Sequence, residues 1–148
     1  MKRIEPSTSS IDKNRLGINP DKVCYVIVKA RAFDVKEGVV DSEPGSNAAD
    51  DGMRDVLEDF ADDPTAAELV EFIRNLDVDE QIHLVALAWL GRGTYDAADW
   101  DEAVREATRA HNKRTAEYLV GLPMLGDYLE EGLAAFGENC DAFDTDRL

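Results

Sequence analysis

The stretch IHLVALAWL, residues 82–90, constrains the fold more than any other part of this chain. Drawn as a helix it is apolar nearly all the way round, and a helix of that kind is buried on most of its sides. Asp77 precedes it and Glu80 follows three residues later, which is the spacing of an N-terminal capping box. We expect Gly91 to end the helix. The stretch therefore predicts a central helix over Asp79–Leu90 with other helices packed around it.

Helix-start residues and helical periodicity predict further elements around this centre. Pro20 and Pro64 each follow an Asn or Asp that can cap a helix, and proline suits the first helical position. Apolar residues recur every three or four positions after both starts, and again over about residues 51–60. A strand over residues 24–30 is the alternative for the first of these helices, because β-branched residues cluster there.

The second half of the chain predicts two more helices. A long one runs from about residue 97 or 100 to Val120, where Gly121 stops it. Pro123 then begins a last helix that extends to about Phe136. With no internal repeat and no series of alternating strands, the sequence predicts an all-α, single-domain bundle of about six helices and no sheet.

Three segments flank or interrupt this predicted helical domain of residues 19–137. Residues 1–18 are polar and contain Pro, Ser and Thr, so we expect a flexible N-terminal arm. Residues 37–50, EGVVDSEPGSNAAD, predict a loop that is long for a compact domain. Residues 138–148 predict a frayed acidic C-terminal tail.

Charge is distributed unevenly along the chain, whose formal net charge is −16. Residues 37–102 alone contain 19 acidic residues and three arginines. An acidic body repels nucleic-acid phosphates and anionic lipid headgroups, so we expect binding neither to nucleic acid nor to a membrane. No run of residues approaches the roughly 20 apolar residues of a membrane span. The acidity is typical of solubility or salt adaptation, and it would attract a basic partner protein.

The two cysteines, Cys24 and Cys140, stand far apart without CxxC or Cys/His spacing. Cys24 lies in an apolar run, where we expect a small core residue. The sequence therefore predicts neither a disulfide framework nor a zinc site. The first residues, MKRIEPSTSSIDKNR, lack the apolar stretch of a signal peptide, so we expect a reducing, cytoplasmic location.

The segment RAHNKRTAEYL, residues 109–119, is the main candidate for a site because it concentrates cations in an acidic chain. On one continuous helix, His111 would share the apolar face and Arg114 would lie at the boundary of that face. One interpretation is an anion site in which Arg114 and Arg92 bind a carboxylate or phosphate. His111 would move a proton there, and Tyr128 would lie nearby. The favoured alternative is that His111 is a hydrogen-bonded core residue and the arginines pair with neighbouring acids.

Motifs for other chemistry are missing from the sequence. The GRG of residues 91–93 is not a P-loop, and neither GxSxG nor GxGxxG occurs. The acidic runs do not follow the ligand order of an EF-hand loop. A metal site made from His83, His111 and Glu80 lacks the HExxH or Glu-x-x-His spacing that would support it, and whether the two histidines approach each other is open. We predict no catalytic residue, no metal and no cofactor.

Four stretches of the chain resemble a known family: VCYVIVKARAFDVKE, PGSNAADDGMRDVLEDFADDP, LVALAWLGRG and RTAEYLVGLPMLGDYLEEGL. They are similar to small acidic bacterial proteins grouped as a domain of unknown function, number 3775, and the resemblance spans about residues 19–137. It implies one domain in a bacterial cytoplasmic setting. It implies no activity and no catalytic or binding residue.

Three hypotheses about function follow from the sequence. The leading one is a non-enzymatic acidic interaction or regulatory protein that docks on a basic partner. The second is a protein or enzyme that binds a small anion with the candidate residues Arg92, His111, Arg114 and Tyr128. The third is an acidic DNA mimic. The oligomeric state is open, because the sequence shows no coiled-coil seam and no long exposed apolar stripe.

Overall fold

Six α-helices and two short 3-10 helices build the residues that the computed structural model describes, which are 11–37 and 64–143. The α-helices are α1 (Pro20–Glu37), α2 (Pro64–Arg74), α3 (Val78–Arg92), α4 (Trp100–Ala110), α5 (Thr115–Val120) and α6 (Leu125–Ala135). One-turn 3-10 helices at Lys13–Arg15 and Ala97–Asp99 precede α1 and α4. No strand occurs in the described ranges, so the predicted all-α class is confirmed. The predicted loop, apart from Glu37, and the predicted helix over residues 51–60 lie outside these ranges.

Helix α3 forms the centre of the fold, as its apolar sequence predicts. It packs against α6, α4 and α5. Its buried side chains are Ile82, Leu84, Val85, Ala86, Leu87, Ala88 and Leu90. The capping box also forms: Asp77 Oδ1 accepts a hydrogen bond from the Glu80 backbone N–H at 2.8 Å, and Glu80 Oε1 accepts one from the Asp77 N–H at 3.1 Å. This box stabilises the N-terminal end of the central helix.

The predicted end of α3 at Gly91 is wrong, because the helix continues to Arg92 and stops at Gly93, whose φ is 95°. Gly91 has a different role, since a Cβ atom there would overlap the carbonyl oxygen of Tyr128 on α6. From the other side, a Cβ at Gly132 would lie only 2.6 Å from the Leu87 carbonyl oxygen. Two glycines therefore allow the backbones of α3 and α6 to approach closely.

Helix α1 covers the outside of this pair by packing against α6 and α2, and α2 packs in turn on α5. The helix that was predicted from Pro20 is confirmed, and the alternative strand over residues 24–30 is wrong. The side chains of α1 that enter the core follow the predicted spacing of three and four: Val23, Val26, Ile27, Ala30 and Phe33.

The long helix predicted up to Val120 is wrong, because α4 ends at Ala110 and α5 begins only at Thr115. His111 between them is extended, with φ −64° and ψ 134°. Local side-chain hydrogen bonds explain this break: Asn112 Oδ1 accepts from the Arg114 N–H at 2.7 Å, and Thr115 Oγ1 accepts from the Asn112 N–H at 3.1 Å. Asn and Thr side chains compete in this way with the helical ladder, and apolar periodicity does not register the competition.

Residues 11–18, which the sequence assigns to a flexible arm, pack against the core instead. The buried side chains in this segment are Ile11, Leu16 and Ile18. The Ile11 N–H donates to the Ala135 carbonyl at 2.7 Å, and the Trp100 Nε1–H donates to the Arg15 carbonyl at 3.2 Å. These few apolar residues in a polar stretch attach the segment to the ends of α4 and α6. Residues 1–10 lie outside the described ranges.

A disulfide joins Cys24 of α1 to Cys140, which follows α6, and this corrects the prediction that no disulfide forms. The two residues are 116 positions apart in sequence, but their Cα atoms are 5.7 Å apart because α1 packs on α6. Spacing along the chain therefore gave no sign of the pair. The start of the predicted tail is also attached, since Phe143 packs partly buried against the core.

A candidate ligand site between three helices

Two of the four predicted site residues meet at one cavity, and two do not. His111 and Arg114 both line a cavity of about 350 Å³ between α3, α4 and α5. Arg92 lies at the end of α3 and donates from Nε to the Thr94 hydroxyl at 3.1 Å, outside the cavity lining. Tyr128 lies on α6, where its carbonyl oxygen faces Gly91. The structure thus separates the predicted set into a pair that lines the cavity and two residues outside its lining.

The cavity has apolar walls with a polar segment on one side. Its volume is at the lower end of the roughly 300–1,000 Å³ typical of small-molecule sites. The residues that line it are Val85 and Trp89 of α3, Ala107 and Ala110 of α4, Thr115 and Tyr118 of α5, and His111, Asn112 and Arg114 of the connection between α4 and α5. The break between those helices therefore brings the polar side chains to the cavity.

An aromatic pair forms one part of the lining. Trp89 Nε1–H donates to the Tyr118 hydroxyl oxygen at 3.0 Å. A tyrosine hydroxyl can accept and also donate one hydrogen bond, and the Tyr118 O–H proton has no acceptor among the described residues. Tyr118 therefore keeps a hydrogen-bond donor beside the cavity. Neither aromatic residue belonged to the predicted site.

Gln81 holds the ring of His111. The Gln81 side-chain nitrogen donates to backbone carbonyls at the end of α2, those of Ile73 at 3.1 Å and Leu76 at 3.1 Å. Its oxygen therefore points the other way and lies 2.8 Å from His111 Nε2. Because an amide oxygen only accepts, Nε2 of His111 carries the hydrogen. Gln81, Val85 and Trp89 follow one another at intervals of four on α3, and that spacing is the sequence signal that could have placed them beside one site.

Arg114 differs from most of the cations in this acidic protein because it has no carboxylate partner among the described residues. Ion pairs hold eight other described lysine and arginine side chains: Lys13, Arg15, Lys22, Lys29, Arg31, Arg74, Arg105 and Arg109. Arg114 is exposed, so it lies at the opening of the cavity. Its guanidinium is thus available to an anion that enters there.

The turn that carries Arg114 is satisfied internally. Thr115 Oγ1 donates to the Asn112 carbonyl at 2.8 Å and accepts from the Asn112 N–H. Asn112 Oδ1 accepts from the Arg114 backbone N–H. These hydrogen bonds use the Thr115 hydroxyl and the Asn112 side-chain oxygen, so the side-chain groups left for a ligand belong to Arg114, His111, Tyr118 and the amide nitrogen of Asn112.

The two histidines do not share a site. His83 Nδ1 lies 2.8 Å from the Asp79 carbonyl oxygen, and its ring packs on Gly17, where a Cβ atom would lie 2.5 Å from the ring. His111 contacts Gln81 instead. In residues 11–37 and 64–143, no group of three or more His, Cys, Asp or Glu side chains is arranged to hold a metal ion.

A second ionisable cluster, on α1 and α6, lies among different residues. Arg31 pairs with Asp127 at 2.7 Å and with Glu130 at 2.6 Å. Asp34 lies one turn further along α1, and loss of hydration, followed by repulsion from Asp127, raises its pKa to about 6. None of these residues lines the cavity, and the cluster is made of surface ion pairs between two helices.

A buried carboxylate lies behind the cavity on α5. Glu117 is 6% exposed and pairs through Oε2 with Arg74 of α2, while its Oε1 has no hydrogen-bond partner in the described structure. Gln81 also contacts α2, because its amide nitrogen lies 3.3 Å from the Arg74 carbonyl oxygen. The end of α2 therefore supports both α5 and the ring of His111.

One family model matches this region. Residues 66–138 match the family described as "Protein of unknown function (DUF3775)". The match is shorter than the resemblance over residues 19–137, but it includes every residue that lines the cavity. No curated protein and no solved structure matches the chain. Among the described helices, none combines the length and the apolar character needed to cross a membrane.

Proposed function

We propose that this protein binds a small organic anion that has an apolar body, and that the cavity between α3, α4 and α5 is its site. The observation that carries the proposal is the Arg114 guanidinium, which has no carboxylate partner within residues 11–37 and 64–143 and lies at the opening of a largely apolar cavity in a chain of net charge −16. This is the anion-binding hypothesis of the sequence analysis with a different set of residues. His111 and Arg114 remain in the set, and Tyr118 and Trp89 join it.

The chemistry of the lining supports an anion with an apolar body over a fully polar ligand. Arginine binds carboxylates and phosphates through two parallel hydrogen bonds. The Tyr118 O–H adds a second donor. Val85, Trp89 and the alanines of α4 offer apolar surface, whose burial favours binding by about 25 cal/mol per Å². A carboxylate with an aromatic or branched aliphatic group satisfies both parts of the cavity.

Binding of defined probes tests this proposal. We expect 3-phenylpropionate and 4-methylpentanoate to raise the Tm of the protein by about 4 °C at concentrations about tenfold above Kd, because they bind only the folded state. The uncharged amide of 3-phenylpropionate should raise the Tm less. Arg114→Gln should abolish the effect of the acids. Arg105→Gln, which removes an exposed arginine of α4 that pairs with Glu102, is the matched control and should leave it intact.

Two results would contradict the proposal. One is a Tm that none of these acids raises. The other is an Arg114→Gln variant that responds as the unaltered protein does, because the guanidinium would then have no part in binding.

Docking on a basic partner stays a second candidate, supported by the net charge of the chain rather than by a contact. It predicts a partner that co-purifies from the native host at low salt and is lost at high salt, because surface charges are screened. If no partner shows this salt dependence, the docking hypothesis is wrong. The DNA-mimic hypothesis has no support from the arrangement of the described residues and stays a prediction from charge alone.

A further inference from the structure

We propose that the ligand is a small 2-hydroxy acid with an apolar side chain, so that a hydroxyl group lies next to its carboxylate. This inference rests on the proposed function and specifies the class of ligand that the cavity binds. It follows from the hydrogen-bonding state of His111. One ring nitrogen of His111 can accept a hydrogen bond from the ligand, whereas Arg114 and Tyr118 can each donate one to an acceptor on the ligand.

The state of His111 is set by Gln81. Backbone carbonyls at the end of α2 surround the Gln81 side-chain nitrogen, and carbonyls can only accept hydrogen bonds. The Gln81 oxygen must therefore face the His111 ring, where it accepts from Nε2–H. A neutral imidazole carries one hydrogen, so Nδ1 of His111 is left with a lone pair.

That lone pair has no partner among the described residues. His111 lines the cavity and Gln81 occupies Nε2 of its ring, so Nδ1 is the ring nitrogen left for a ligand hydroxyl that donates. The Arg114 guanidinium and the Tyr118 O–H provide the opposite polarity, and both donate. The polar part of the cavity thus presents donor groups on Arg114, Tyr118 and the Asn112 amide nitrogen, and one ring-nitrogen acceptor on His111, which matches a carboxylate with an adjacent hydroxyl group.

An amino acid would offer a donor at the same position, but its ammonium group does not suit this site. No Asp or Glu belongs to the cavity lining, so nothing there would balance a second positive charge. The ammonium would also lie near the guanidinium of Arg114, and like charges at short range repel. A neutral hydroxyl group avoids both penalties.

Matched pairs of acids isolate the hydroxyl group. We would measure Kd by calorimetry at pH 8, where imidazole is ordinarily neutral. The pairs are 3-phenyllactate with 3-phenylpropionate, and 2-hydroxy-4-methylpentanoate with 4-methylpentanoate. We expect the hydroxy acid of each pair to bind about fivefold more tightly, which corresponds to one additional neutral hydrogen bond. In His111→Phe, the two acids of a pair should bind equally.

Nitrogen NMR of the unaltered protein gives a second measurement that does not depend on the fold of a variant. The spectra should show His111 with hydrogen on Nε2, and His83 with hydrogen on Nδ1, because Nδ1 of His83 faces the Asp79 carbonyl oxygen. Addition of 3-phenyllactate should shift the Nδ1 signal of His111, while 3-phenylpropionate should leave it nearly unchanged. His83 is the internal control and should not respond to either acid.

The outcomes separate this inference from the proposed function. If both members of each pair bind equally to the unaltered protein, the hydroxy-acid inference is wrong and the anion site stands. If Nδ1 of His111 carries the hydrogen, the hydroxy-acid inference is also wrong, because Nδ1 could not accept a hydrogen bond from the ligand hydroxyl. If none of the four acids binds, the proposed function is wrong and the inference falls with it.

Discussion

At the scale of single residues, Asp34 shows how one carboxylate can weaken an acidic fold at neutral pH. Its side chain on α1 is half-buried. Loss of hydration is the main cause that raises its pKa from 3.8 to about 6, and the Asp127 carboxylate of α6 adds to the shift. Arg31 opposes the shift only in part, since it also binds Asp127 and Glu130. Ionised Asp34 is therefore less stable in the folded protein than in the unfolded chain.

Replacement of Asp34 by Asn should stabilise the protein at neutral pH. Because the folded pKa lies above the unfolded one, the folded state gains stability as pH falls from about 6 towards 3.8, and Asp34 reduces stability above pH 6. A shift of this size corresponds to about 3 kcal/mol, which exposure and solvent screening reduce to about 1 kcal/mol. We expect Asp34→Asn to raise the free energy of unfolding by about that amount at pH 7.5 and to have no effect near pH 3.5.

Glu131→Gln is the control for Asp34→Asn, because it removes an equal charge from an exposed position on α6. Urea unfolding at both pH values compares the two variants. A gain that is the same for both, or that persists at low pH, would mean that net charge rather than the environment of Asp34 is responsible.

At the scale of secondary-structure elements, the sequence predicted the elements that local rules determine. Asp77 and Glu80 cap α3, and the apolar run that follows is buried, because both features depend on residues within a few positions. The continuous apolar stripe predicts an unbroken helix through residues 111–114, and that prediction is wrong. Two local side-chain hydrogen bonds of Asn112 and Thr115, residue types that often cap helices, interrupt the helix there.

The candidate site was predictable only in part, for a related reason. His111 and Arg114 stood out because of their residue types in an acidic chain. The spacing of four places Gln81 and Trp89 on one face of α3, but it does not specify that this face meets His111 and Tyr118, because those contacts join different helices. Arg92 and Tyr128 have side chains that suit an anion site, but the packing of α3 and α6 leaves both outside the cavity lining.

Helix packing at Gly91 gives a prediction at this scale. An alanine Cβ at residue 91 would overlap the Tyr128 carbonyl oxygen, so α3 and α6 would have to move apart. We expect Gly91→Ala to lower the free energy of unfolding by about 3 kcal/mol, the upper part of the range for overpacking. Chemical denaturation followed by circular dichroism measures the loss.

Gly93→Ala is the matched control for Gly91→Ala. Nothing lies within 4 Å of a Cβ at residue 93, but its φ of 95° strains a side chain, so the loss should be about 1 kcal/mol. Asn tolerates positive φ better than Ala, and Gly93→Asn should therefore recover part of that loss. If Gly93→Ala destabilises the protein more than Gly91→Ala, then the close approach of α3 and α6 is not what requires glycine at residue 91.

At the scale of the whole molecule, the disulfide between Cys24 and Cys140 joins α1 to the segment after α6. Between these residues lie α2 to α6 and the cavity. A cross-link across about 100 residues can stabilise a fold by about 4–5 kcal/mol, because it restricts the unfolded chain. Disulfides persist mainly in oxidising compartments, and this pair therefore does not favour the cytoplasmic location expected from the sequence. That location stays a prediction.

Reduction of the disulfide should therefore lower stability strongly without removing the core. We expect dithiothreitol to lower the free energy of unfolding by up to about 4 kcal/mol in urea titrations. The double variant Cys24→Ala, Cys140→Ala should match the reduced protein and should not respond to dithiothreitol. Thiol titration of the unreduced, denatured protein provides an independent readout and should find no free thiol from this pair. Two free thiols, or equal stability with and without dithiothreitol, would show that α1 and the segment after α6 are held together by packing alone, and that outcome would agree with a reducing compartment.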